Sequence, residues 1–300
     1  MRQVTPAAKV AIIGDVFEAK DLSAFALITP ELGAIVSDEG SRFQMVAITE
    51  NFRSLAIKST HDLPGGGESD LEGAAFGGGF LYLCGSHGLS SKSGKLEEER
   101  FRLFRIPVGK DGKPGAAQTA SLAALIAGDP ALRPHFHKQL QHGGTNIEGL
   151  AYQNGRLFAG FRSPLVGGKA LVLEFDANAL FTGGDPTPKR HEFVLPEGAG
   201  MGIRDLAAVA GGFLIAAGNS GAEPSDDIPT AENYADGRGF RLYHWKPGDA
   251  QARDLGEIPD PAGKAETIVP INAESAAAPW DILLIYDGPK GGAPIRLRVE

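Results

Sequence analysis

Three hundred residues, 42% hydrophobic and 22% charged, are enough to bury about three quarters of the unfolded chain's surface, which excludes a disordered or fibrous protein. Twenty-nine basic against 37 acidic residues leave a net charge of -8, which argues against nucleic acid as a partner. One cysteine, Cys84, excludes an internal disulfide and a cysteine-built zinc site, while 41 glycines and 20 prolines without collagen's period announce many turns.

The chain opens with a single short apolar run, Val10 to Ile13, too brief for a signal peptide, and no stretch reaches the ~18 apolar residues of a membrane span. A soluble, cytoplasmic protein without a membrane partner is expected, or a periplasmic one if a native leader precedes the chain. Five related phrases then recur: Asp21-Leu22-Ser23-Ala24, Asp70-Leu71-Glu72-Gly73, Asn146-Ile147-Glu148-Gly149, Ile203-Arg204-Asp205-Leu206 and Lys264-Ala265-Glu266-Thr267. Each opens an apolar run that a glycine-containing turn joins to a second run, at 33–37, 80–85, 156–161, 213–218 and 281–286, which reads as five hairpins. Third strands are expected at 43–48, 101–108, 170–175, 240–245 and 295–299, and fourth strands at 54–57, 191–195 and 253–258. The second repeat carries instead an insertion, 109–145, with a short helix at 121–127 stopped by Gly128 and Pro130. The fifth repeat runs out of chain after three strands, and residues 9–15 are free to supply its fourth.

Four-stranded units whose last member is completed by the first strand describe an all-β propeller: one domain over residues 1–300, about five blades, ring closed by the N-terminal strand. Six blades follow if the insertion hides one, and a β-sandwich explains the strands but not the recurring phrase.

In a propeller the start of each first strand and the end of each second strand meet at one mouth. The second-strand ends carry Asp38-Glu39, Ser86-His87, Arg162-Ser163, Asn219 and Asp287, at 14 or 15 residues beyond the first four anchors and 21 beyond the fifth. The mouth is therefore expected to gather Glu72, Glu148, Asp205 and Glu266, with Asp38, Glu39, Ser86, Ser163, Asn219 and Asp287 around them as substrate-binding residues. Two carboxylates ~4 Å apart repel by ~4 kcal/mol at an effective dielectric near 20, so four of them must take up protons, pair with arginine or hold a cation. Oxygen ligands suit calcium before magnesium, with Glu72, Glu148, Asp205 and Glu266 as the ligands. The same acids also serve a plain structural role, capping strand ends and pairing with Arg162 and Arg204. Those two arginines suit the carboxylate or phosphate of a small anionic substrate, and His87 suits proton transfer near neutral pH.

Other constellations fail. Five residues, not four, separate Gly88 from Gly94, and no Ser or Thr follows Lys95, so no phosphate-binding loop is formed. His135, His137 and His142 sit in the insertion without a zinc-site pattern, neither Ser86 nor Ser220 completes a nucleophile elbow, and Cys84 reads as a buried small hydrophobe.

The phrases Asp70-Leu71-Glu72-Gly73-Ala74, Asn146-Ile147-Glu148-Gly149-Leu150-Ala151, Gly160-Phe161-Arg162-Ser163-Pro164-Leu165 and Gly202-Ile203-Arg204-Asp205-Leu206 resemble an uncharacterised bacterial β-propeller family of unknown function over most of the chain. The Glu-Gly phrase is more distantly similar to that of the esterase-like phytase propellers, whose acids face a calcium-containing centre. That resemblance implies a metal-dependent hydrolysis of an ester, lactone or phosphoester at the mouth, and the residues read there put His87, Glu148, Arg162 and Arg204 in catalysis. Ser23 in the place of the first acid and Thr267 in the place of a glycine depart from the pattern. The alternatives are a non-catalytic propeller that binds a metabolite or protein and keeps a structural metal, and a glycosidase using two of the carboxylates.

Overall fold

The structure, a computed structural model, describes residues 4–49, 51–91, 93–224, 234–259 and 263–300. Five sheets succeed one another along the chain. The first blade runs Leu22–Thr29, Leu32–Ser37, Arg42–Thr49, Ser54–Asp62, and the second Leu71–Gly77, Phe80–Gly85, Leu103–Pro107, Gln118–Ala120. The third runs Asn146–Gln153, Arg156–Val166, Lys169–Asp176, Lys189–Phe193, and the fourth Met201–Val209, Gly212–Asn219, Phe240–Trp245, Arg253–Ile258. The fifth, Lys264–Pro270, Trp280–Asp287, Ile295–Val299, takes its outer strand from Val4–Lys9, paired antiparallel to the chain's last strand. Each first strand packs against the next blade's first strand and the fifth against the first, so the ring closes as a five-bladed propeller.

Burial follows from that arrangement. First and second strands lie between two flanking blades and are buried on both faces, as in Phe80–Gly85, whereas the outer strand Ser54–Asp62 alternates between core and water. Five apolar clusters fill the five gaps between blades. Trp280, Tyr286 and Leu242 lie between the fourth and fifth, and Phe158, Phe213 and Trp245 between the third and fourth.

Two expectations shift. The ring is closed by Val4–Lys9 rather than by residues 9–15; Ala11–Ile13 instead adds a parallel strand outside Ser54–Ala56 of the first blade. The segment therefore straps the last blade to the first, and Val10, between the two pairings, is buried where they meet. The insertion hides no sixth blade: it supplies the short outer strand Gln118–Ala120, the helix Ala123–Gly128 and two single-turn helices. Leu122, Ile126, Leu132 and Phe136 seal it onto the second and third blades.

Candidate active site

Each first strand carries a β-bulge at the same place. The ladder skips Ser23 between Leu22 and Ala24, Glu72 between Leu71 and Gly73, Glu148 between Ile147 and Gly149, Arg204 between Ile203 and Asp205, and Glu266 between Ala265 and Thr267. An inserted residue re-aims its side chain, and all five line one cavity of about 80 Å³. The bulge ring is therefore Ser, Glu, Glu, Arg, Glu. Arg204 holds the position that the sequence reading gave to Asp205.

The residue after each bulge turns to the neighbouring blade. Asp205 accepts from Leu206 N at 2.7 Å and, across the blade boundary, from Ile268 N at 2.8 Å. Burial pushes its carboxyl up to about 7 against those two amides. Thr267 Oγ1 donates to Ser23 O at 2.8 Å, and Ser23 Oγ in turn to Leu71 O. Gly73 and Gly149 meet the next blade so closely that a Cβ would stand 2.8 Å from the Cβ of Leu150 and of Leu206, respectively, which explains the glycine of the Glu-Gly phrase. Asp205 is thus a clamp between blades four and five, and it lines the apolar opposite end of the channel beside Phe25, Phe76 and Tyr152, not the mouth.

At the mouth, arginine meets the acids. Glu148, 2% exposed, receives Arg162 Nη1 on Oε1 at 2.9 Å and faces Arg204 Nε across 2.9 Å at Oε2. Glu266 takes Arg204 Nε on Oε2 at 3.1 Å and Nη2 on Oε1. Arg162 is further pinned by Asn219 O at 3.1 Å and Gly221 O at 2.7 Å. Arg204 is 5% exposed, and among the described residues its Nη1 has no hydrogen-bond partner. Burial and neighbouring Arg162 lower its pKa, against the pull of Glu148 and Glu72.

Two acids stand apart from this network. Glu72 makes no hydrogen bond or ion pair among the described residues; burial, with Glu148, Asp70 and Asp38 nearby, raises its pKa well above the usual carboxylate range. Asp38, at the end of the first blade's second strand, buries an Oδ1 without a hydrogen-bond partner among the described residues, and burial with Asp70 and Asp287 pushes its pKa up to about 7. Both line the 80 Å³ cavity, as do Asp21 and Asp287. A second cavity of about 260 Å³ adjoins over the fourth blade, shares Arg162, Arg204 and Lys264 with the first, and adds Asn219, Tyr234 and Arg238. Lys264 bridges Glu223 at 3.3 Å and Asp287 at 3.2 Å.

The remaining expected residues fall elsewhere. His87 is fully buried under the insertion: Nδ1 contacts Gly85 O at 2.8 Å, Nε2 accepts Leu122 N at 3.0 Å, and burial drives its pKa down to about 4. Both nitrogens are engaged, so the ring anchors the insertion and is no proton shuttle for the mouth. Glu39, Ser86 and Ser163 line neither cavity, whereas Asn219 lines the larger. The calcium expectation meets the same network. Among the described residues no three His, Cys, Asp or Glu side chains are grouped to hold a metal ion; Glu148 Oε1 and both oxygens of Glu266 are taken by arginine, and Glu148 Oε2, without a hydrogen bond, faces the Arg204 guanidinium. The donor set does not fit calcium, because a guanidinium stands where the ion was expected.

A closed five-bladed ring with a charged mouth is the class that this architecture defines. The chain belongs to the protein family of unknown function DUF3616, whose model matches residues 21–106 and 114–292. No curated protein matches it. Among solved structures it is similar to a putative oxidoreductase (glucose dehydrogenase) from Thermus thermophilus, at 14% identity over all of both chains and a TM-score of 0.45. It is also similar to a putative 6-phosphogluconolactonase from Bacteroides fragilis, at 11% identity over 93% of this chain and 86% of that one, TM-score 0.43. The periplasmic gluconolactonase of Pseudomonas aeruginosa matches at 13% identity over 92% and 87%, TM-score 0.39. Lactonases and an oxidoreductase are thus among its structural neighbours. No described helix is long and apolar enough to cross a membrane.

Proposed function

We propose that the mouth hydrolyses a small ester, lactone or phosphoester, in the cytoplasm, without routing the chemistry through a metal. The observation that carries this reading is that one 80 Å³ cavity holds Asp38, whose buried Oδ1 has no hydrogen-bond partner, Glu72, which makes no hydrogen bond or ion pair, and Arg204, whose Nη1 makes no hydrogen bond, all among the described residues. Arg204 is positioned to stabilise negative charge developing on the reacting oxygen, and its ion pairs with Glu148 and Glu266 hold it there before substrate arrives. Asp38, with a pKa of about 7, is poised to take a proton from attacking water. Glu72, whose carboxyl pKa burial raises well above the usual carboxylate range, is placed to give a proton to the leaving oxygen. Water's oxygen joins the carbonyl carbon or phosphorus, the bond to the leaving oxygen breaks, and the proton gained by Asp38 restores Glu72 through solvent.

The test is a turnover panel of esters, lactones and phosphoesters on the wild type and on Glu72→Gln. Loss of about a hundredfold in kcat with unchanged melting is expected, the lower range of a general-acid contribution. Turnover by the wild type should rise with pH through about 7 as Asp38 becomes the base. A wild type inert to the whole panel, or an undiminished Glu72→Gln, contradicts the reading. One observation favours a binding-only propeller instead: all three nitrogens of Arg162 are engaged, by Glu148 Oε1, Asn219 O and Gly221 O, as suits a rigid receptor.

A further inference from the structure

The mouth has two compartments of opposite character that share one wall. The smaller, about 80 Å³, is dominated by acids: Asp38 Oδ1 and Glu148 Oε2 are buried there without a hydrogen-bond partner among the described residues, and Glu72 makes no hydrogen bond or ion pair among them, so the compartment accepts hydrogen-bond donors. Among the described residues that line the larger, about 260 Å³, Arg162, Arg204, Arg238 and Lys264 stand against the acid Glu223. Arg162, Arg204 and Lys264 form the shared wall. Arg204 is the pivot. It is 5% exposed, fixed by Glu148 and Glu266, and leaves Nη1 without a partner among the described residues.

A neutral polyol satisfies one compartment and a bare anion the other. We infer that the ligand is a hydroxylated carboxylate or phosphate, its hydroxyl end donating to Asp38 and Glu72 and its anionic end seated against Lys264 and Arg204 in the larger compartment. This rests on the mouth being the functional site and adds the class of molecule it takes. It also gives Lys264 the role of selecting for charge: 41% of its side chain is exposed, and among the described residues it is tied only by longer contacts to Glu223 and Asp287, so it turns to an incoming anion at little cost.

Calorimetric titration separates the possibilities with five probes: glucuronate, glucose 6-phosphate, glucose, acetate and inorganic phosphate. Glucuronate or glucose 6-phosphate should bind at least about tenfold tighter than glucose and than the matching bare anion, the scale of one charge-assisted hydrogen bond. Which of the two binds tells carboxylate from phosphate. Lys264→Met should remove about tenfold of the preference over glucose, and Asp38→Asn should weaken the hydroxylated anion but not the bare one. Folding of both variants is read from their melting curves. Glucose binding as tightly as glucuronate and glucose 6-phosphate, bare anions binding as tightly as their hydroxylated counterparts, or none of the hydroxylated anions binding overturns the inference. Tight binding of glucuronate with no turnover of any ester, lactone or phosphoester leaves the inference standing and removes only the hydrolase.

Discussion

The two ends of the channel are built by the same five strands, yet one is a crowd of charge and the other is apolar. At the mouth, the bulges turn Ser23, Glu72, Glu148, Arg204 and Glu266 into a common space. A residue or two further on, the regular ladder resumes and Phe25, Phe76, Leu150 and Tyr152 line a cavity of about 200 Å³. A one-residue slip moves a side chain from one face of a strand to the other, so the bulge separates the functional end from the packing end. Neighbouring letters in one phrase thus have unrelated jobs: Arg204 serves the mouth and Asp205 the seam between blades.

The sharpest way to break that division is at Arg204. Its removal leaves Glu148 and Glu266 buried without their shared cation, and a loss of about 3–5 kcal/mol is expected for Arg204→Ala by urea denaturation. Gly149→Ala attacks the seam instead. Its Cβ would lie 2.9 Å from Leu206 N, and a loss of about 1–3 kcal/mol is expected from the same measurement.

Acidity distinguishes the mouth from the base of the insertion by sign. Asp38 has its folded pKa raised to about 7, so the native state holds the proton longer than the unfolded chain does; its contribution falls as pH rises from about 4 to about 7 and is flat above. His87 has its folded pKa lowered to about 4, so its contribution is present above about 6.5 and is lost as pH falls towards 4. Melting curves between pH 4 and 8 should therefore steepen towards acid when Asp38→Asn removes the opposing trend and flatten in His87→Gln. The smallest effect belongs to Lys264→Met, expected to shift stability by no more than about 1 kcal/mol because its ion pairs are solvent-exposed.

The ring itself was legible because the packing of each blade imposes the same hairpin and the same apolar frame around a polar bulge residue, with the acid-glycine pair kept at Glu72-Gly73 and Glu148-Gly149. The second blade's outer strand was not: Gln118–Ala120 is three residues long, largely exposed and without an apolar pattern. The assignment of Asp205 to the mouth failed because the phrases were aligned on the acid. Aligned on their apolar frame, Ile147-Glu148-Gly149-Leu150 matches Ile203-Arg204-Asp205-Leu206, and Arg204 falls opposite Glu148. That signal was present, since the frame is what the blade core enforces. His87 gave none: the amide that fixes it belongs to Leu122, 35 residues away in the insertion. Closure by Val4–Lys9 was hidden for a similar reason. The apolar letters lie at Val10–Ile13, whereas the strand that completes the fifth blade is an outer one, mostly exposed and free of core constraint.

The account turns on a guanidinium serving as the cation of the mouth, and melting in chelator and in added calcium, for the wild type and Arg204→Gln side by side, tests it most directly. The wild type should melt at one temperature in both, while the variant, its carboxylates freed, should be stabilised by calcium. A wild type that loses stability in chelator and regains it with calcium would contradict the account.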